Sequence, residues 1–281
     1  MNHTTKAREP QICSWSRAET RLTSTTPRIS FRAAGRDEEL PLVLLHSMAV
    51  DQSTWGPAIQ FLENRHRVVT LDTRGHGASG SADQAHPQDW AGDIVAVLDA
   101  LGIDTAVLVG VSMGGIQAIA TAAAAPNRVA GIVVADSFAA LPAQTAAARI
   151  DGLTEYASIH SMDEVATKYV EDTFLADADT RGPELVRTAM EAMTPHDYQI
   201  AVRACFGADV RADLDRVQAP TLVLWGEQDT KTPRPLSETI AAGIAEARLQ
   251  TIPGAAHLSH LDQPGHFASL VSDFVADLPP R

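Results

Sequence analysis

Ser112 stands at the centre of Gly110-Val111-Ser112-Met113-Gly114, and its surroundings give its hydroxyl a chemistry. The apolar, β-branched run Thr105-Ala106-Val107-Leu108-Val109 precedes it, and an Ala-rich stretch over residues 115–125, closed by Pro126, follows. That pattern predicts a buried strand turning sharply into a helix, with the serine at the turn. Glycines two residues before and after are what such a turn demands, because the strained serine packs its neighbours too close for a Cβ. At a helix N-terminus, free N–H groups and the dipole favour negative charge, which is the charge an attacked carbonyl oxygen develops.

A serine hydroxyl is a poor nucleophile until an imidazole takes its proton and a carboxylate fixes that imidazole's tautomer. Both partners are offered by the C-terminal third. Thr221-Leu222-Val223-Leu224-Trp225 reads as a buried strand, and Gly226-Glu227-Gln228-Asp229 puts Asp229 on the loop at its C-terminal end. Ala247-Arg248-Leu249-Gln250-Thr251-Ile252 gives one more strand, and Pro253-Gly254-Ala255-Ala256-His257 places an imidazole just after it. Asp229 is thus the candidate acid and His257 the candidate base. A loop Asp also serves commonly as a cap or turn residue, and Asp136, directly after the apolar run 129–135, is a second position from which the acid could come. His260 and His266 compete with His257. The first lies three residues on and the second follows Pro264 at the start of an amphipathic stretch, so both read as surface or capping residues.

The elements that must hold these groups alternate in the α/β manner. Residues 20–25 and 28–33, split by Pro27, suggest an opening antiparallel hairpin; strands follow near Leu42, Val68, Val107, Val133, Leu224 and Leu249, with helices about 54–63, 89–101, 115–125, 237–245 and 264–275. The alternation breaks once. Between Ser137 and about Asp213, stretches 142–156, 162–172 and 183–193 have helical spacing and no strand is evident, which predicts a helical cap over the active site. The expected plan is a mobile tail over 1–18, a core in two parts over 19–136 and 214–281, and a cap over 137–213. Phe138, Leu141, Met162, Tyr169, Phe174, Met190, Met193 and Phe206 are candidates to line an apolar pocket, or to form core. Arg149, Arg187 and Arg203 are candidate anchors for a substrate carboxylate.

The 281 residues fit one α/β domain plus an insertion, with 45% hydrophobic and 20% charged residues. A net charge of −13 without a basic run argues against a nucleic-acid or anionic-membrane surface. No apolar stretch approaches the roughly 20 residues of a membrane span. The first 26 residues carry Lys6, Arg8, Arg17 and Arg21 but no apolar segment of the kind that directs secretion, and the two cysteines, Cys13 and Cys205, read as reduced thiols, so a cytoplasmic protein is expected. No Cys and His cluster has metal-ligand spacing, no cofactor is called for, and no internal repeat is found. Oligomeric state is not encoded in any pattern found.

Asp72-Thr73-Arg74-Gly75-His76-Gly77, the Ser112 turn, Trp225-Gly226-Glu227-Gln228-Asp229 and Pro253-Gly254-Ala255-Ala256-His257 together resemble the α/β-hydrolase superfamily, from about residue 27 to the end. The order Ser, Asp, His is that superfamily's. Within it the chain is similar to the 3-oxoadipate enol-lactonases, on Leu45-His46-Ser47-Met48, Ser112-Met113-Gly114-Gly115-Ile116, the stretch from Ala201-Val202-Arg203 to Asp213-Leu214, and His257-Leu258-Ser259. The resemblance implies a mostly parallel eight-stranded sheet flanked by helices, with a helical cap. It also implies an oxyanion hole built from the backbone amides of Met48 and Met113. Most relatives carry His-Gly where this chain has His46-Ser47, but a backbone N–H is supplied by any residue except proline. His46 and Ser47 are then candidate substrate contacts, Ser47 alternatively holding the loop.

The expected function is cofactor-free opening of a small carboxylic ester or lactone through an acyl-enzyme, most like an enol-lactonase. A general carboxylesterase, a carbon–carbon bond hydrolase of ring-cleavage products, and a ligand sensor with slow turnover are the alternatives.

Overall fold

In the computed structural model, which describes residues 14–35, 40–176 and 178–279, eight strands form one sheet. They are β1 (Arg21–Leu22), β2 (Ser30–Ala34), β3 (Leu42–Leu45), β4 (Val68–Leu71), β5 (Ala106–Val111), β6 (Val129–Ala135), β7 (Thr221–Gly226) and β8 (Arg248–Ile252), in the order β1-β2-β4-β3-β5-β6-β7-β8. The β1–β2 hairpin and the β2–β4 pairing are antiparallel, and every other pairing is parallel. β3, β4, β5 and β6 are buried at every residue, which is why they read as unbroken apolar runs rather than alternating ones.

Register decides where the chemistry emerges. Leu45 pairs with Gly110, Val111 with Ala135, and Ala135 with Leu224, so the C-terminal ends of β3, β5, β6 and β7 finish along one edge of the sheet. In an open parallel sheet that edge is where ligands bind. Helices α1 (Gly56–Leu62), α2 (Pro87–Leu101) and α3 (Met113–Ala124) follow β3, β4 and β5 in the chain. The helix expected over 54–63 is divided: Asp51 accepts from the Ser53 amide at 2.8 Å and caps a 3-10 turn, and α1 begins afresh with Pro57 in its first turn.

Between β6 and β7 stand four helices, α4 (Ala143–Ile159), α5 (Met162–Glu171), α6 (Arg181–Glu191) and α7 (Pro195–Gly207), α4 packing on α7 and α5 on α6. The fourth went unforeseen, although Thr194-Pro195-His196-Asp197 opens it with a side-chain cap, the Thr194 hydroxyl accepting from the Asp197 amide at 3.0 Å. After β7, α8 (Arg234–Gly243) leads to β8, and α9 (Ser259–Asp262) and α10 (Pro264–Ala276) close the chain, α10 packing against α1.

Of the tail expected over 1–18, residues 1–13, with Lys6, Arg8 and Cys13, lie outside the described residues. Ser14–Arg17 are not tail. They form a 3-10 turn in which Trp15 is buried and donates its indole N–H to Thr70 Oγ1 at 2.9 Å, while the Ser14 hydroxyl bonds Glu63 at 2.8 Å. An indole that finds both an apolar slot and an acceptor anchors its segment. Among the described residues no helix is long and apolar enough to cross a membrane.

Candidate active site

Ser112 sits between β5 and α3 with φ 56° and ψ −117°, a conformation few non-glycine residues adopt. The surrounding backbone enforces it. A Cβ on Gly110 would overlap the carbonyl of Gly114, and one on Gly114 would overlap the carbonyl of Leu45, so strand, turn and helix approach more closely than any side chain permits. The Ser112 amide donates to the Ala135 carbonyl at 2.8 Å, and the Ser137 hydroxyl donates to the Ser112 carbonyl at 2.7 Å.

His257 Nε2 lies 3.1 Å from Ser112 Oγ, and His257 Nδ1 lies 3.0 Å from Asp229 Oδ2. All three side chains are buried. Burial pushes the Asp229 carboxyl up, but the His257 charge and the hydrogen bonds from His257 and Thr232 outweigh it and hold the carboxyl below its ordinary value. Oδ1 accepts from the amides of Lys231 at 2.8 Å and Thr232 at 3.0 Å, and the Thr232 hydroxyl donates to Oδ2. An ionised acceptor fixed at Nδ1 leaves Nε2 free to take a proton from the Ser112 hydroxyl, the first step of acyl transfer.

Asp136 is brought close but holds other groups. It is fully buried at φ 49°, its Oδ1 accepting from the Gly226 amide at 2.7 Å and its Oδ2 from the Ser259 hydroxyl at 2.5 Å. Burial, and then the Asp229 charge, push its carboxyl well above the ordinary range. Gly226 ends β7 ahead of Asp229, and Ser259 stands two residues past His257, so Asp136 ties together the two loops that carry Asp229 and His257. With Ser137 on the Ser112 carbonyl, two consecutive residues after β6 brace all three. Of the competing histidines, His266 is exposed. His260 is not the surface residue expected: it is fully buried, with its ring 4.4 Å from that of Trp55 and 6.1 Å from that of Phe267, and neither ring nitrogen has a partner. Burial pushes it down to about 3, keeping it neutral.

The loop after β3 is held from below. His46 accepts the Thr73 amide at Nε2 (2.9 Å) and donates from Nδ1 to the Ser47 carbonyl (2.7 Å), while His76 accepts the Ala49 amide at Nε2 (3.1 Å) and donates from Nδ1 to the Arg74 carbonyl (3.0 Å). An acceptor nitrogen must be unprotonated, and burial, reinforced for His76 by the His46 charge, lowers both rings, His76 to about 4. His46, a candidate substrate contact, therefore faces the interior and is occupied with the loop. Ser47 and Met48 do line the cavity with Ser112, and Met113 opens α3, whose leading amides have no intrahelical acceptor.

That cavity encloses about 420 Å³ and takes Phe138, Arg149, Leu153, Tyr169, Cys205 and Phe206 from the insertion, with Lys231 and Thr232 from the Asp229 loop. Of the three candidate arginines only Arg149 reaches it. Arg187 pairs at the surface with Asp163 (3.1 Å) and Glu191 (3.5 Å), and Arg203 lines a separate groove with Asp83 and His86. Met190 and Met162 are packed into core rather than lining.

Residues 42–269 match the family model described as the alpha/beta hydrolase family. The chain belongs to that family. This hydrolase is 31% identical to the 3-oxoadipate enol-lactonase 1 of Acinetobacter baylyi, over 89% of this chain and 94% of that one. It is 29% identical to the 2-hydroxymuconate semialdehyde hydrolase of a Pseudomonas species, over 84% and 87%. The enol-lactonase structure from Burkholderia xenovorans superposes with a TM-score of 0.83 at 25% identity, covering 92% of this chain and all of that one. The hydrolase fold thus accounts for the alignment of Ser112, Asp229 and His257. Sequence reading passed over Lys231 and Thr232, although Asp229-Thr230-Lys231-Thr232 has the short polar spacing of a turn whose amides and hydroxyl cap an aspartate. It also passed over Ser137, for which a lone serine after a strand gives no signal.

Proposed function

We propose that this hydrolase opens small carboxylic esters or lactones by nucleophilic catalysis at Ser112. The single observation that carries the reading is the chain of contacts from Ser112 Oγ to His257 Nε2 (3.1 Å) and from His257 Nδ1 to Asp229 Oδ2 (3.0 Å) at the floor of a cavity of about 420 Å³. Ser112 attacks the carbonyl as His257 takes its proton, Asp229 stabilises the imidazolium, and the amides of Met48 and Met113 receive the oxyanion. Collapse returns the proton to the leaving oxygen and leaves an acyl-Ser112, which water, deprotonated by His257, then cleaves. In a lactone the leaving oxygen stays on the acyl chain, and an enol leaving group departs readily because it becomes a ketone.

The substrate we favour is an enol-lactone bearing a free carboxylate. The enol-lactonase relatives support it, and so does Arg149, a guanidinium on the wall of the same cavity. Carbon–carbon bond hydrolysis of a diketo acid is the second reading, favoured by the likeness to the 2-hydroxymuconate semialdehyde hydrolase. We place the reaction in the cytoplasm, a reading supported by Cys205 standing buried and unpaired. A panel of carboxylated enol-lactones, aryl esters and diketo acids, run with the parent and with Ser112→Ala, tests it. Repeated turnover of the lactone, lost in the variant, is expected. Turnover of the diketo acid alone would move the assignment to the second reading, and a single stoichiometric event would make the protein a sensor.

A further inference from the structure

Lys231 stands on the Asp229 loop and lines the cavity that holds Ser112 and His257. Its backbone is fixed on both sides, its amide donating to Asp229 Oδ1 at 2.8 Å and its carbonyl accepting Arg149 Nη2 at 2.8 Å. Its ammonium lies 4.5 Å from the centre of the Tyr169 ring, and the Arg149 guanidinium 5.4 Å from that of Phe206. Two cations, one on the core loop and one on α4, are thereby laid on aromatic faces, and the Arg149 guanidinium is tied to the Lys231 backbone by one hydrogen bond.

The two carboxylates whose charges reach Lys231 have their hydrogen bonds to groups other than its ammonium. Asp172 pairs with Lys168 at 2.9 Å, and Asp229 is taken by His257 and Thr232. A cation held at a partly apolar wall loses hydration, and a hydrogen-bonded anion offsets that loss. A second cavity, of about 310 Å³, shares Arg149, Leu153, Tyr169, Asp172 and Lys231 with the first, so the two cations stand where the chambers meet, while Ser112 lines the first.

We propose that Lys231, acting with Arg149, seats a free carboxylate of the substrate, so that this hydrolase selects anionic over neutral esters, and that Lys231 makes this selection pH-dependent. The inference rests on the serine hydrolase reading above. Burial lowers the Lys231 ammonium to about 8, with Arg149 and Lys168 pulling the same way and Asp172 and Asp229 opposing. Lys231 therefore carries its charge at pH 7 and has lost it by pH 9.5. Of the other groups facing it, burial pushes Tyr169 on α5 and Cys205 on α7 each up to about 12, so neither changes charge in that interval. His257 serves every ester alike and cancels when two substrates are compared.

Phenyl hydrogen glutarate and its methyl ester, methyl phenyl glutarate, share the phenyl ester and carry a distal carboxylate or an uncharged methyl ester, and phenol release reads the same bond in both. The ratio of their kcat/KM values, measured at pH 7 and 9.5, reads the selection alone. The parent should prefer the acid by roughly 10-fold to 100-fold at pH 7, the range of a charge-assisted hydrogen bond, and lose most of that by pH 9.5. Lys231→Met should have lost most of the preference at both values. Lys231→Arg, whose guanidinium keeps its charge, should retain it at both. A parent ratio that ignores pH, or a Lys231→Met ratio equal to the parent's, overturns the inference. Failure of the parent to hydrolyse either ester, or hydrolysis that survives Ser112→Ala, overturns instead the reading on which it rests.

Discussion

The loops at the strand ends and the helices of the 143–207 insertion meet across one cavity, yet they are held by different means. Around Ser112 the constraints are glycines that admit no Cβ, a serine at positive φ, and buried carboxylates that accept three or four hydrogen bonds each. Across α5 and α6 the polar contacts include surface ion pairs, such as Lys168 with Asp172 and Arg187 with Asp163, which typically contribute about 0–1 kcal/mol. On the cavity-facing side of the insertion stand Arg149, Tyr169 and Phe206, the Arg149 guanidinium 5.4 Å from the centre of the Phe206 ring. On the proposed function, the loops that place a proton within tenths of an ångström are over-determined, whereas the helices that would choose the substrate can change their lining without disturbing the proton path.

The largest effect lies on the core side. Asp229→Asn should cost about 10⁴-fold in kcat, because an amide cannot hold the His257 tautomer. Asp136→Asn, which keeps one acceptor and loses another, should cost no more than about 100-fold, as expected for one compromised buried hydrogen bond. Steady-state rates of the two variants on one ester separate these outcomes. If Asp136→Asn is the inactive one, the acid role belongs to the loop after β6 and the contrast between engaged acid and bracing residue collapses.

On the insertion side the effect should be smaller and confined to KM. Arg149→Ala should raise KM for a carboxylated lactone roughly 10-fold to 100-fold, while Arg187→Ala and Arg203→Ala should leave it within about two-fold, since neither lines the cavity. A fall in kcat of the same size for Arg149→Ala would mean that the insertion shapes the transition state, blurring the division of labour.

The smallest effect is one of stability. His76 and His260 are lowered by burial to about 4 and about 3, so below the unfolded value of 6.5 the unfolded chain takes up protons that the folded chain refuses. Stability is complete above about pH 7.5 and falls with acidity, by about 2 kcal/mol per histidine between about pH 7.5 and 5. His260→Leu removes one such group from an aromatic slot where it has no hydrogen-bond partner, and urea melts at pH 7 and 5 should show about 2 kcal/mol less loss than in the parent. An unchanged loss would mean that His260 meets water or a proton acceptor when folded.

What was legible in the sequence divides along the same line. Ser112, Asp229 and His257 could be read because each closes an apolar strand with a short polar loop, and strand order converts those ends into neighbours. Lys231 and Ser137 could not, since their roles come from contacts across the fold, with Arg149 eighty-two residues away and with the Ser112 carbonyl twenty-five residues away. The three arginines were indistinguishable until α4 turned one inward. His260 looked exposed because the four-residue α9 is too short to show periodicity; packing against Trp55 and Phe267 decides its burial. Trp15 was lost in a polar N-terminal stretch, where a single indole carries no pattern.

The central claim is that the core loops make Ser112 a nucleophile that carries the acyl group between two half-reactions. It is tested most directly by acid-quenching the enzyme during turnover of 4-nitrophenyl butyrate and measuring the intact mass and the mass of the peptide containing Ser112. A butyryl increment on that peptide, absent from Ser112→Ala together with all but about 10⁻⁴ to 10⁻⁶ of the rate, is the predicted result. Turnover without any acylated Ser112, or a Ser112→Ala enzyme retaining more than a tenth of the parent rate, would contradict it.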